Sequence, residues 1–343
     1  DKGTIAQAQR AIDTLGKDNI KLAIIDGFPI NKPHSLNEGI KYATNEVVAV
    51  FDAEDEPHRD IYNVINTVMQ RDGADVVQSG VQLMNYRSRW FSSFNVLEYY
   101  FWFKSALHFF AKGGLIPLGG NTVFFKKKWL VKAKGWDETC LTEDADIGIR
   151  MSLMGANIRV VYDEKHVTQE ETPLTLSGFI SQRTRWNQGF IQILLKGDWK
   201  KLPTLEQRLL ALYVLAVPEL QTLLFLYAPL TLVMMFFVKI SVVLALFTFI
   251  PFYILVLQLI TYSIGLYQFT RDYSLPYSFS LFITTIARFY LFQLVLGLSA
   301  VRAVFRMMSK NLVWEKTAHT NAHRISAEPA LLPNHVVEAK LYE

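Results

Sequence analysis

The uneven distribution of charge along the chain is the feature that most limits its possible folds. Of 35 basic and 31 acidic residues, only seven lie between positions 205 and 300. Within this region the stretches 209–238, 240–267 and 276–300 are each longer than the roughly 20 apolar residues that a membrane-crossing helix needs. They leave no polar face to meet water, which argues against buried helices of a large soluble core. The sequence therefore predicts an α-helical transmembrane domain over 205–301.

Basic residues after the last apolar stretch predict the orientation of this domain. Segment 302–343 is a basic tail, and an excess of Lys and Arg is typical of cytoplasmic segments. If the part before residue 205 is also cytoplasmic, the number of crossings is even. Pro218 and Glu219 interrupt the first apolar stretch, so four crossings, or two with a re-entrant segment, both remain open. We expect a multi-pass protein of the cell (inner) membrane.

The part before the apolar region alternates between two kinds of pattern. Short β-branched runs at 21–26, 46–52, 75–81 and 157–162 predict strands, and helical patterns lie at 4–15, 35–44, 59–71 and 143–155. This alternation predicts an α/β domain whose sheet is mostly parallel. Ligands of such sheets bind beyond the carboxyl ends of the strands, which makes the residues after 46–52 the first candidates for a site.

Composition excludes several classes of protein. The single cysteine, Cys140, cannot build a disulfide framework or a cysteine zinc site. A net charge of +4 without a basic stripe also argues against a nucleic-acid partner.

An acidic run follows the second predicted strand. Asp52, Glu54, Asp55 and Glu56 lie within five positions, and their repulsion is costly unless a cation or a helix N-terminus offsets it. Hard oxygen ligands at a strand end suit Mg²⁺ or Mn²⁺. The alternative is capping of the helix predicted from about residue 59, where acids are favoured in any case.

A second acidic cluster opens the helix predicted at 143–155. Thr142 is a plausible N-cap, followed by Glu143 and Asp144, and on this pattern alone helix capping is the favoured interpretation. Gly119 and Gly120 precede this cluster. Glycines there would let the backbone approach a substrate, or they simply form a turn into the next strand.

Two further segments combine aromatic and basic residues. Gln182, Arg185 and Trp186 share one face of a helix, where Arg can hold phosphate and Trp can stack on a sugar or a nucleotide. Segment 173–204 is predicted to be an interfacial amphipathic helix, and the alternative is that its Trp and Arg side chains simply lie at the level of the lipid headgroups. The aromatic stretch 90–110 predicts a second helix in the membrane interface, with packed core as the alternative.

The order of these motifs resembles glycosyltransferase family 2, in the membrane-embedded branch that includes cellulose, chitin and hyaluronan synthases. The matching motifs are a lysine-containing "K…LN" loop at 32–37, a DxD motif at 52–54 with Glu as the second acid, a TED motif at 142–144, a QxxRW motif at 182–186, and at 314–319 a tail found in some bacterial members.

The resemblance implies a GT-A (Rossmann-like) nucleotide-sugar domain over 1–172, which is partial because the first strand or strands of that fold would precede residue 1. It implies an inverting transfer of a sugar from a nucleotide diphosphate to an acceptor hydroxyl at the membrane, in polysaccharide synthesis. Two alternatives remain at this point. One is a non-processive transferase that glycosylates a lipid carrier, and the other is a non-catalytic membrane scaffold or transporter.

The resemblance also implies roles for particular residues. Asp144 would be the general base, kept ionised by its place at a helix N-terminus, with Glu143 beside it in the catalytic site. Asp52 and Glu54 would hold Mg²⁺ or Mn²⁺. The substrate and the nucleotide sugar would contact Lys32, Asp52, Gly120, Gln182, Arg185 and Trp186. Expected partners are a nucleotide-sugar donor, a polysaccharide or lipid-linked acceptor, the lipid bilayer and an accessory membrane or periplasmic subunit.

Overall fold

The computed structural model describes residues 2–25, 27–239, 241–243, 246 and 250–315. The helices before the apolar region are α1 (Lys2–Leu15), α2 (Lys32–Gly39), α3 (Ile61–Arg71), α4 (Ser92–Phe101), α5 (Leu107–Lys112), α6 (Lys127–Lys132), α7 (Glu143–Leu153) and α8 (Leu176–Lys196). The strands are β1 (Val47–Val50), β2 (Val76–Ser79), β3 (Val81–Leu83), β4 (Val123–Lys126), β5 (Ile158–Val161) and β6 (Thr168–Glu170). The apolar region contains α9 (Leu205–Phe237), α10 (Ile250–Asp272) and α11 (Phe279–Met308).

The main sheet has the strand order β1-β4-β2-β5. Strand β4 is antiparallel to both β1 and β2, and β2 is parallel to β5, so β1, β2 and β5 share one direction. The strands predicted at 46–52, 75–81 and 157–162 are confirmed. The prediction of a mostly parallel sheet needs correction, because β4 lies between β1 and β2 and makes both of their contacts antiparallel. The strand predicted at 21–26 is wrong for the described residues 21–25, which are largely exposed and pair with no described strand.

Helices cover both faces of this sheet. The apolar face of α3 buries Ile61, Ile65, Val68 and Met69, which repeat at helical spacing and pack against the sheet. The opposite face packs against α5 and α7. Each of these large side chains contributes about 1.5–3 kcal/mol through its burial.

The aromatic stretch forms α4, a π-helical turn at Trp102–Ala106, and α5. Phe91, Phe94 and Tyr100 are almost fully buried and share one cluster with Phe269 of α10 and Phe292 of α11. The alternative of packed core is therefore confirmed for these side chains, whereas the position of the helix relative to the membrane stays a prediction. They are packed core, because they fill the joint between the sheet domain and the apolar helices.

Two of the described helices are long and apolar enough to cross a membrane, over Phe252–Asp272 and Phe279–Met308. Much of their apolar surface faces outward, as at Leu257 and Leu298, which are 62% and 56% exposed. Helix α9 runs through Pro218 as one helix. The stretch predicted at 240–267 lies partly outside the described residues. The predicted tail lies outside them from residue 316 onward.

Candidate active site

The beginning of α2 places Lys32 against two other motifs. Asn31 caps this helix, with its side-chain oxygen accepting a hydrogen bond from the His34 backbone N–H at 3.0 Å. The Lys32 ammonium forms an ion pair with Asp52 and donates to the Gly120 carbonyl at 2.8 Å. Burial alone would lower the pKa of Lys32, but Asp52 and the more distant Glu143 and Asp144 outweigh it and raise that pKa. The positively charged Lys32 side chain is therefore surrounded by several carboxylates.

Asn37, at the other end of the same loop motif, fixes α2 to the segment that leads into α7. Its side-chain amide donates to the Trp136 carbonyl at 2.9 Å and to Glu138 Oε1 at 2.8 Å, and its Oδ1 accepts from the Trp136 N–H at 2.9 Å. Gly135 has a φ of +72°, and a Cβ there would overlap Asn37 Oδ1. This clamp positions Lys32, although Asn37 itself was not among the predicted site residues.

The turn after β1 carries Asp52 and is held by a buried carboxylate. Asp55 accepts a hydrogen bond from the Asp52 backbone N–H at 2.7 Å and another from the Asn121 side chain at 3.0 Å. Burial, with a further contribution from Asp52, raises the pKa of Asp55 to about 7. Asp55 thus joins the DxD turn to the loop that contains Gly120.

Glu170, at the end of β6, is a further member of the acidic cluster that the sequence motifs did not indicate. Its side chain is buried, and burial together with the charges of Asp55, Asp52 and Glu54 raises its pKa well above the usual range. The charges of Asp52, Glu54 and Asp55 thus act on Glu170, and a divalent cation would relieve this repulsion. An all-oxygen donor set fits Mg²⁺ or Mn²⁺.

Gly120 lies directly against Asp144. Its φ is +46°, and a Cβ at this position would lie 2.9 Å from Asp144 Oδ2. Two residues later, Thr122 also has a positive φ of +50°, which is rare for a β-branched residue and typical of strained functional turns. The glycine loop therefore brings its backbone close to the second acidic motif and is more than a plain turn.

Glu143 and Asp144 begin α7, as predicted. Thr142 occupies the N-cap position but its side chain makes no capping hydrogen bond. Burial raises the pKa of both acids, and the charge of Asp144 raises the pKa of Glu143 further. The positive charges of Lys32 and Arg185 act in the opposite direction on both pKa values. At Asp144, burial outweighs the nearby N–H groups and cations, so the pKa lies above the usual value for an aspartate. That this carboxylate remains ionised stays a prediction.

Helix α8 carries the QxxRW residues and lies against the beginning of α7. The close approach occurs at Gly189, where a Cβ would overlap the Thr142 side chain. This contact places Arg185 near Glu143 and Asp144, whose charges counteract the lowering of the arginine pKa by burial. The other side of the Arg185 guanidinium faces Trp314, with 4.3 Å to the centre of the ring.

Gln182 and Trp186 lie on α8 with Arg185. In the described part of the chain, neither forms a hydrogen bond with Asp52, Glu143 or Asp144. Gln182 is buried, and its Oε1 has no hydrogen-bond partner among the described residues. Trp186 packs beside Tyr99 with 6.2 Å between ring centres, and the Arg183 guanidinium lies 4.6 Å from the Trp186 ring centre. The structure thus brings together Lys32, Asp52, Gly120, Glu143, Asp144 and Arg185, whereas the link of Glu54 to this group is the effect of its charge on Glu170.

Comparison with known proteins identifies the family of this chain. The family described as "Glycosyl transferase family group 2" matches residues 47–305. The chain is 26% identical over 202 residues to a poly-beta-1,6-N-acetyl-D-glucosamine synthase of Staphylococcus epidermidis, covering 57% of this chain and 47% of that protein. It is 28% identical over 163 residues to a beta-monoglucosyldiacylglycerol synthase of Trichormus variabilis, covering 47% and 34%. The chain thus spans about half the length, or less, of the curated relatives it matches.

A solved structure supports the fold. A mannosyltransferase of Pyrobaculum calidifontis, determined with GDP-Man and Mn²⁺, superposes with a TM-score of 0.56 and 16% identity, covering 91% of this chain and 76% of that one. At this identity the likeness bears on the fold alone, and it confirms the expected GT-A-like architecture.

Proposed function

This chain belongs to glycosyl transferase family group 2 and is a glycosyltransferase, and we propose that it moves a sugar from a nucleotide-diphosphate donor to an acceptor hydroxyl, with inversion, at a membrane surface. The observation that carries the proposal is the convergence of Lys32, Asp52, Gly120, Asp144 and Arg185. These residues come from five separate segments of the chain. Gly120 contacts Asp144 through its backbone, and the charges of Lys32, Asp52, Asp144 and Arg185 interact.

The proposal also divides the chain into segments that differ in their position relative to the membrane. A cytoplasmic GT-A-like domain covers 1–172, the segment 173–204 with the QxxRW motif lies at the membrane interface, and the apolar helices span the bilayer within 205–301. The tail at 302–343 returns to the cytoplasm. Two helices of spanning length and the outward-facing apolar side chains of α10 and α11 support this arrangement.

The donor diphosphate binds between the acidic turn and two cations. Asp52 and Glu54 would hold Mg²⁺ or Mn²⁺, which when bound neutralises charge on the diphosphate. Lys32 and Arg185 hold the diphosphate oxygens through charge-assisted hydrogen bonds. Both cations are fixed before the reaction, so they stabilise the negative charge that develops as the nucleotide departs.

Asp144 acts as the general base. Its carboxylate accepts the proton of the acceptor hydroxyl while that oxygen forms a bond to the anomeric carbon from the face opposite the diphosphate. The bond from the anomeric carbon to the diphosphate oxygen breaks, and its electron pair leaves with the nucleotide. Asp144 is partly exposed whereas Glu143 is only 4% exposed, so Asp144 is the acid that an acceptor can reach. Its raised pKa also makes it a stronger base.

The acceptor binds on the α8 side of the cleft. Trp186 and Tyr99 form an aromatic surface of the kind that stacks on sugar rings, and Gln182 supplies an amide beside it. A growing polysaccharide is the acceptor that we favour, since one relative is a poly-N-acetylglucosamine synthase. A lipid acceptor is the second candidate, because another relative is named as a glucosyldiacylglycerol synthase.

Replacing the base tests the chemistry. The Asp144→Asn variant keeps the size of the side chain but cannot accept the proton, so the transfer rate should fall ~10²–10⁴-fold while donor binding and Tm change little. Asp72→Asn is the matched control, because Asp72 lies at the surface in an ion pair with Arg71, away from the cleft. An Asp144→Asn variant that is less stable but turns over normally would restrict Asp144 to helix capping.

A panel of donors and acceptors tests the rest. The protein in lipid vesicles is given nucleotide sugars with Mg²⁺ or Mn²⁺, in the presence of either oligosaccharides or diacylglycerol, and the products are sized. A product of high mass supports polysaccharide synthesis, and a lipid with one added sugar supports the second candidate. Absence of transfer from every donor would contradict the proposed function.

A further inference from the structure

Two histidines from different connections of the sheet domain meet outside the proposed active site. His58 and Asp60 lie between β1 and α3, and His166 lies between β5 and β6. The two imidazole rings stand edge to face with 4.6 Å between their centres. One ligand atom from each of the three residues lies within 4.8 Å of the others.

The surroundings of His166 and Asp60 prepare both for coordination. Asp163 Oδ2 lies 2.7 Å from His166 Nδ1, and a carboxylate on that nitrogen holds the proton there and leaves the lone pair on Nε2. Asp60 stands at the N-cap position of α3, yet its side chain makes no capping hydrogen bond. Its carboxylate is therefore not committed to the helix.

We propose that His58, Asp60 and His166 form a binding site for a transition-metal ion of the Zn²⁺ class, distinct from the carboxylates that would hold the donor. Imidazole nitrogens select such ions, whereas all-oxygen sets select Mg²⁺ or Mn²⁺. Three protein ligands with an open fourth position are typical of zinc. The ligands of a tetrahedral zinc ion lie about 3.4 Å apart, and the candidate ligand atoms lie within 4.8 Å of one another, so side-chain rotations can bring them to the distance that zinc requires. None of the three side chains is buried, which gives them room to rotate and gives an ion access.

An ion at this site would cross-link the β1–α3 connection to the β5–β6 connection, close in sequence to three of the acidic residues discussed above. The β1–α3 connection includes Asp52 and Glu54, and β6, which follows the β5–β6 connection, ends in Glu170. Glu56 and Gln169 already join the same segments, with N–H···O distances of 3.1 and 3.0 Å in the two directions. The metal would reinforce this pairing and hold the acidic turn in place.

Zn²⁺ binding to the metal-stripped protein in detergent tests the proposal directly. Calorimetry should detect one equivalent of Zn²⁺ that is lost in His58→Ala and in His166→Ala, and kept in His108→Ala, which removes an exposed histidine elsewhere. Asp163→Asn should weaken binding ~10–100-fold. Co²⁺ used as a probe should show visible absorption that the same variants lose.

A further variant separates this site from the donor site. Glu54→Gln should retain the Zn²⁺ equivalent, and the readout is metal binding, so the result does not depend on sugar transfer. Circular dichroism checks that each variant is folded. The proposal is overturned if the protein binds no Zn²⁺ at micromolar concentration, if both His58→Ala and His166→Ala bind it like the unmodified protein, or if Glu54→Gln abolishes it.

Discussion

Substitution of Gly120 by alanine is expected to lower both the stability of the protein and the rate of transfer, for two different reasons. The added Cβ would lie 2.9 Å from Asp144 Oδ2, so the carboxylate has to move by roughly 0.5 Å to reach an ordinary contact distance. Because a displacement of ~1 Å at a reacting group costs ~10²-fold in rate, we expect kcat to fall by roughly 10-fold or more. The φ of +46° adds a strain of about 1 kcal/mol, which lowers Tm by ~2–4 °C.

Gly73→Ala is the matched control for this experiment. Gly73 has a φ of +60°, but a Cβ there meets nothing within 4 Å. This variant should therefore lose a similar amount of Tm and keep its transfer rate. The assay compares initial rates at saturating donor with Tm from thermal unfolding of both variants. If Gly120→Ala turns over at the normal rate, the placement of Asp144 against Gly120 or its role as base is wrong.

Three further predictions concern the metal, pH and topology. Asp52→Ala should weaken Mn²⁺-dependent binding of nucleoside diphosphates by 10-fold or more, ~1.4 kcal/mol, and binding that survives both this change and EDTA would argue against the metal role. Burial raises the pKa of Asp144, so transfer should increase as pH rises through a value above the ~4 of free aspartate. Lys32→Met should move this acid limb higher, because Lys32 lowers that pKa; an unchanged limb assigns it to another group. A cysteine at Leu312 should be labelled only from the side of the membrane that carries the sheet domain, and labelling from the opposite side would contradict an even number of crossings.

The sequence by itself determined the features that arise from local patterns. The scarcity of charge in 205–300 predicted long apolar helices, and these are present as α9, α10 and α11. The residues Lys32, Asp52, Gly120, Asp144 and Arg185 stand out from the sequence alone, and the structure brings them together. Such features can be predicted because hydrophobic periodicity, helix-start acids and motif spacing involve residues that are neighbours in the chain.

Only the tertiary structure decided features that depend on contacts between distant segments. Strand β4 between β1 and β2, the clamp of Asn37 on Glu138 and the inclusion of Glu170 in the acidic cluster leave no local pattern. The aromatic residues around Phe94 matched both a membrane surface and a core, and packing against α10 and α11 decided for the core. The raised pKa of Asp144 has the same origin. Its place at a helix start is visible in the sequence, whereas the burial that outweighs the helix N-terminus results from the approach of α8 and the glycine loop.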